Sequence, residues 1–157
     1  MRFSKKSEYA FRALLELTEH YGRDLLQRQH IAEQQHIPIE YLEQILLALK
    51  NAGLLASRRG VTGGYSLIKP PHEITLGQVI RILDGPLAPI ACVSKSAYQK
   101  CNDCPYAEDS GHAACPIQGV MLNVRNAISD ILDNYTLSDF AKQTQGKITH
   151  ATPPLQH

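Results

Sequence analysis

LQRQHIAEQQHIPIEYLEQILLALKNAGLLASRRGVTGGY, residues 26–65, decides the fold. A short amphipathic segment comes first, with Leu26, His30, Ile31 and Gln34 at helical spacing. It breaks at His36-Ile37-Pro38, because Pro38 disfavours helix at Ile37 yet suits the first turn of a new helix. A stronger helix follows, with Tyr41, Leu42, Ile45, Leu46 and Leu49 on one stripe. Gly53 stands where a helix-ending glycine belongs. Residues 54–57 and 64–68 then read as two short strands, joined by Arg58-Arg59-Gly60-Val61-Thr62-Gly63, whose glycines can take positive φ.

Helix, tight turn, helix and basic-tipped hairpin is the layout of a winged helix-turn-helix. The expected class is therefore mainly α with a small β-hairpin. Such a motif lays its second helix in the DNA major groove, and its wing can set arginines against phosphates or in a minor groove. A plain αα-hairpin followed by an ordinary β-hairpin is the alternative, but it has no need of adjacent Arg58 and Arg59 in a glycine-rich tip. On the second helix Ile39, Glu40, Glu43 and Gln44 can face outward. Glutamine can read adenine and glutamate can accept from the cytosine amino group, so Glu43 and Gln44 are the base-reading candidates. A merely solvated polar face is the competing reading. Arg28, Tyr41 and Gly60 complete the candidate DNA contacts around these two helices and the wing.

Working outward, Ser4 can cap a helix from about Lys5 to His20, with Tyr9, Ala13, Leu14 and Leu17 as its apolar face. Lys5 and Lys6 oppose the helix dipole there, but would serve beside a DNA phosphate; plain solvated lysines are the alternative. Thr75 caps a helix over Leu76–Leu83, stopped by Asp84-Gly85-Pro86. Pro116 opens the longest helix, to about Asn134, with Ile117, Val120, Met121, Val124, Ile128, Ile131 and Leu132 at steps of three and four. That stripe needs a partner. A homodimer is the expected one, since helix-turn-helix regulators pair on pseudo-palindromic operators; packing against its own domain is the alternative. A short helix from Leu137 to about Lys142 and a loose polar tail follow. The expected division is a DNA-binding domain over 1–86, a cysteine-rich loop over 87–115, the dimerisation and terminal helices over 116–142, and a tail over 143–157.

Of the 157 residues, 43% are hydrophobic and 20% charged, as in ordinary globular proteins. The net charge of +1 divides unevenly: +3 through Lys69 and −2 thereafter, so the positive charge lies with the half that carries the expected DNA-binding motif. No apolar run of membrane-spanning length and no signal-peptide pattern is present, and the cytoplasm is the expected compartment.

All four cysteines, Cys92, Cys101, Cys104 and Cys115, fall in one 24-residue window spaced x8, x2 and x10. Without a secretion signal, disulfides are the less expected use. Soft thiolates suit zinc or an iron–sulfur cluster. Only one Cys-x2-Cys pair is present, against the two of a common zinc ribbon, and Cys115 precedes a long helix whose dipole favours a thiolate. A labile cluster that senses oxidants or iron supply fits this asymmetric loop; a metal-free thiol group is the alternative. A redox enzyme built on Cys101-x-x-Cys104 is not expected, because the chain lacks the βαβ context of that motif.

The run Ile31-Ala32, Ile37-Pro38, Tyr41-Leu42-Glu43-Gln44-Ile45, Ala52-Gly53-Leu54-Leu55, Ser57, Arg59-Gly60 and Gly63-Gly64-Tyr65 resembles the signature of the IscR/NsrR family of Rrf-type iron–sulfur winged-helix transcriptional regulators. The likeness spans about residues 1–140 and includes SEYAFRALLEL near the start. It implies a homodimer with a crossing dimerisation helix. It also implies Glu43, Gln44 and their neighbours in the major groove of an operator, and Arg59 in a minor groove. It further implies a cluster, usually 2Fe–2S and sometimes 4Fe–4S, held by three cysteines and an unusual fourth ligand. Cys92 and Cys115 match the outer cysteines; the middle one is Cys101 or Cys104. The family's histidine three residues after the last cysteine is Gln118 here, so that ligand does not carry over. Glu8, matching an acidic ligand from the first helix of a partner subunit, competes with His112 and the spare cysteine. Some family members carry no cluster, so a thiol-based or zinc-stabilised repressor of the same fold is the alternative.

Overall fold

The computed structural model describes residues 3–101 and 115–145. Ser4 does cap the first helix, α1 (Lys5–Glu19): its hydroxyl accepts from the Ser7 amide at 3.2 Å. Helices α2 (Arg28–Gln35) and α3 (Ile39–Asn51) form the helix-turn-helix. Between them His36 takes a left-handed φ of 49°, and the Ile37 amide reaches back to the Ala32 carbonyl at 2.9 Å. That is a Schellman-type ending, and Pro38 then starts α3 directly. Gly53, at φ +76°, closes α3 as its position in the sequence required.

The wing is an antiparallel pair, β1 (Leu55–Arg58) and β2 (Gly64–Leu67), with Leu55 opposite Leu67 and Arg58 opposite Gly64. Leu26 corrects the expectation that it belongs to a helix. It exchanges both backbone hydrogen bonds with Tyr65, at 3.0 and 2.8 Å, and so adds a one-residue third strand to the wing. A side chain at Gly64 would put its Cβ 2.5 Å from the Leu26 carbonyl oxygen, and one at Gly63 would lie 2.2 Å from that of Arg58. These two glycines let three backbone segments approach closely.

Thr75 caps α4 (Leu76–Leu83) by accepting from the Gln78 amide. One core collects Ala13, Leu14 and Leu17 of α1, Ile31 of α2, Leu42, Ile45, Leu46 and Leu49 of α3, Leu55 and Leu67 of the wing, and Val79 of α4. Each large aliphatic side chain withdrawn from water contributes about 1.5–3 kcal/mol. Tyr41 departs from the expected stripe. It is 48% exposed and meets Tyr9 edge-on, ring centroids 5.8 Å apart. Its phenol gives it a polar tip, and at the helix start it lies at the rim.

The longest helix, α5 (Pro116–Asn134), has the predicted limits and no buried residue. It leans on α4 through Arg81, whose guanidinium forks onto Asp133 at 2.5 and 2.8 Å. Helix α6 (Leu137–Gln145) runs a turn beyond the expected Lys142 and returns to α1, where Phe140 meets Phe11 at 5.7 Å. Its first residue, Leu137, is fully buried in the core just described. Among the described residues no helix is long and apolar enough to cross a membrane.

Candidate nucleic-acid interface and cysteine site

Burying Leu42, Ile45, Leu46 and Leu49 turns the opposite side of α3 outward. Glu40, Tyr41, Glu43, Gln44 and Leu47 are exposed there, and Ile39 is half-buried against the core. Arg28, in the first turn of α2, pairs with Glu43 across the helix-turn-helix, Nη1 to Oε1 at 2.5 Å. One of the two base-reading candidates therefore already holds a cation. Gln44 stays exposed on the same face.

Arg58, Arg59 and Gly60 are exposed on the wing, next to Val61, which is 92% exposed. The tip is tied down from the other side: Gln27 Nε2 donates to the Val61 carbonyl at 2.8 Å. Between wing and α2 lies an open groove of about 830 Å³, lined by Gln27, Arg28, Arg58 and Arg59 among others. Three guanidiniums around one groove favour a polyanion. Gln27 is not among the DNA-contact candidates that the sequence offers. Its only local signal is its place just before α2; its partner is 34 residues away.

Lys5 is engaged by Glu8 on the same helix face. The hydrogen bond from Lys5, with the attraction of the Glu8 charge, raises the Lys5 pKa. Glu8 thus has a partner within its own subunit. Lys6 is half-buried near Asp84. Asp84, just past α4, accepts from the Ser4 amide, and from the Ser4 and Ser7 hydroxyls. Partial burial pushes the Asp84 carboxyl up, but these hydrogen bonds and nearby Lys6 outweigh it and lower its pKa.

Cys92 lies in a short 3₁₀ turn, Ala91–Val93, and Cys115 occupies the position just before α5. Both are half-buried free thiols, and Cys101 is an exposed one. Cys104 and His112 lie outside the described residues. The Cys92 turn is fastened to α5 at two points: Gln118 donates to the Cys92 carbonyl at 3.4 Å, and Arg125 to the Val93 carbonyl at 3.1 Å. Two soft donors thus flank the start of one helix, where free amides favour a thiolate. This pair suits a thiolate-bound cluster in chemistry. Among the described residues no three His, Cys, Asp or Glu side chains already converge on one point, and Gln118 is turned to a backbone carbonyl.

A helix-turn-helix with a basic wing, on a chain whose longest described helix leaves Ile117, Val120, Val124 and Ile131 exposed, defines a winged-helix DNA-binding regulator. The Rrf2 family, described as iron-dependent transcriptional regulators, matches residues 3–143. An rrf2-like HTH-type regulator sequence from Rhodobacter capsulatus is 42% identical over 87% of this chain and 89% of its own. CymR of Bacillus subtilis is 33% identical over 94% of each chain. The structure of that CymR, described as a global cysteine regulator, superposes with a TM-score of 0.72, covering 90% of this chain and 97% of its own at 31% identity. IscR of T. potens superposes at 0.70, with 28% identity over 96% of this chain and 94% of its own. The chain belongs to the Rrf2 family of HTH transcriptional regulators. Its place is among DNA-binding regulators and not among enzymes.

Proposed function

We propose that this regulator works as a homodimer whose operator affinity is set by the Cys92–Cys115 loop, and that the loop holds an iron–sulfur cluster, 2Fe–2S in the first instance. One observation carries the reading: Cys92 and Cys115 are gathered at the start of the helix that leaves Ile117, Val120, Val124 and Ile131 exposed. The family's description as iron-dependent agrees with it. Cys92, Cys115 and either Cys101 or Cys104 would supply thiolates, with Glu8 of a second copy or the spare cysteine as the fourth donor. When bound, the cluster supplies a centre that oxidants or iron shortage remove.

The protein's own residues do the rest. Glu40, Tyr41, Glu43 and Gln44 enter a major groove of a pseudo-palindromic operator. Arg58, Arg59 and Gly60 follow the backbone into the minor groove, and Lys5, Lys6 and Arg28 neutralise phosphate. Gln118 and Arg125 pass any shift of the Cys92 turn to α5. Asp84 lies eight residues before Cys92 and holds Ser4 and Ser7 at the start of α1, which connects the loop to the DNA-binding helices. A coupling of about 1–3 kcal/mol would change operator affinity several-fold to a hundredfold.

Anaerobic purification with a visible spectrum, assays of iron, sulfide and zinc, and operator binding on the same sample tests this. A coloured protein with near-stoichiometric iron and sulfide is expected, and Cys92→Ala or Cys115→Ala should remove both the colour and the response. A colourless protein whose DNA binding ignores iron–sulfide reconstitution would overturn the cluster. One observation favours a cluster-free thiol or zinc-stabilised repressor instead: Gln118 stands where a histidine ligand is expected and gives its amide to Cys92. Zinc, or response to thiol oxidants without iron, in that preparation would establish this second reading.

A further inference from the structure

Beside the Cys92 turn, between the connector after α4 and the inner side of α5, lies a small cavity of about 40 Å³. That is room for roughly three waters, the size of one small oxyanion group. Three cations line it: Arg81 of α4, Lys95 just past the Cys92 turn, and Arg125 of α5. Ser94, Ser96 and Ser129 add hydroxyls, and Pro86, Leu87 and Ala88 form an apolar side. No carboxylate is among its lining residues. Asp133 pairs with Arg81 and its charge is also felt by Lys95, so one carboxylate stands against three cations.

The donors are not exhausted. Arg81 spends two of its five N–H groups on Asp133, and Arg125 spends three, one on Val93 and two on Asn126. Among the described residues Lys95 makes no ion pair. Ser94 is buried, and its oxygen accepts from the Ala97 amide, leaving the hydroxyl hydrogen to donate. Guanidinium forks match the paired oxygens of a carboxylate or phosphate, and a concave site with low-dielectric walls concentrates their field.

We propose that this cavity binds a small oxyanion, a carboxylate or a phosphate group, and that its occupancy ties the Cys92 turn to α4 and α5. Arg81 and Arg125 hold the anion's oxygens, Lys95 closes on it from the loop side, and the apolar wall admits a short hydrocarbon tail. The three cations come from three segments, so an anion among them draws α4, the loop and α5 together. This site stands whether or not the cysteines hold a cluster.

The test is thermal unfolding and titration calorimetry of the full chain without DNA. Inorganic phosphate, acetate and a short dicarboxylate are each compared with chloride at matched ionic strength. Phosphate or a carboxylate should raise the unfolding temperature beyond chloride, and the stronger of the two names the source. Lys95→Ala, an exposed side chain outside the core, should keep the ligand-free unfolding temperature and lose about tenfold in affinity. Arg81→Gln should lose affinity as well. If no oxyanion outperforms chloride, or if Lys95→Ala and Arg81→Gln bind it as the parent does, the proposal is overturned.

Discussion

Helices α3 and α5 carry apolar residues at the same spacing of three and four, yet they meet opposite fates. Leu42, Ile45, Leu46 and Leu49 of α3 are completely buried. On α5, Ile117, Val120 and Ile131 remain 63%, 58% and 61% exposed. An amphipathic pattern fixes which side of a helix must be covered, and says nothing about what covers it. Helix α3 has α1, α2, α4 and β1 to pack on, within one chain. Among the described residues helix α5 packs chiefly on α4 and the Cys92 turn; its half-buried side holds Met121, Ile128 and Leu132 beside Gln118 and Arg125, and the Arg81–Asp133 and Arg125–Val93 contacts fasten it.

The difference can be broken by substitution. Leu46→Ala should cost about 2–5 kcal/mol of stability in urea unfolding, because it opens a cavity in a closed core. Ile131→Ala, on the uncovered stripe, should cost under about 1 kcal/mol in dilute monomeric protein. Equal costs would erase the distinction. Placing Glu at both Val120 and Ile131 should leave the far-ultraviolet circular dichroism unchanged, abolish the proposed dimer in sedimentation, and weaken operator binding by about a hundredfold through lost bivalency.

Smaller effects sharpen the comparison within the winged-helix half. Arg59→Ala should lose about 1–3 kcal/mol of operator affinity and flatten the salt dependence, read by fluorescence anisotropy. Arg28→Ala should lose less, because Glu43 already shares its charge. The smallest effect belongs to Asp84. Its folded pKa lies below the ordinary 3.8, so its contribution is complete above that value and is lost as pH falls through the lowered one. Asp84→Asn should therefore be destabilising at neutral pH by under about 1 kcal/mol, since the carboxylate is exposed. The gap from the parent should close in strong acid, and a gap independent of pH would refute the assignment.

The helices were legible because their signals are local. Ser4 and Thr75 cap, Pro116 opens and Gly53 closes, each through its own side chain or lack of one. The stripe of α3 was legible for the same reason, Tyr41 excepted, where an aromatic ring at helical spacing sits at the rim against Tyr9. Leu26 was misread because its role depends on Tyr65, far along the chain, and helical spacing from Leu26 to Ile31 gives no hint of that pairing. The Arg28–Glu43 pair and the Gln27 tie to Val61 were invisible for the same reason. On the candidate interface, the charged wing could be read from Arg58 and Arg59 alone. The groove behind it could not, because its walls meet only when α2 and the hairpin pack. The gathering of Cys92 with Cys115 was half legible: one window held them, but Gln118 and Arg125 bring the turn to the helix.

Helix α5 is clamped at both ends. Gln118 near its start and Arg125 at its middle grip the Cys92 turn; at its end the Tyr135 carbonyl accepts from the Leu76 amide, and Thr136 pairs with Thr75. The nineteen residues of the helix span about 28 Å from end to end and advance about 100° each. One residue inserted between the clamps would rotate Cys115 and the apolar stripe by that angle against the far clamp. Helix length is thus a phase as well as a distance: one inserted residue loses the phase, and seven, which restore it, add about 10 Å between clamps that one domain holds at a fixed separation.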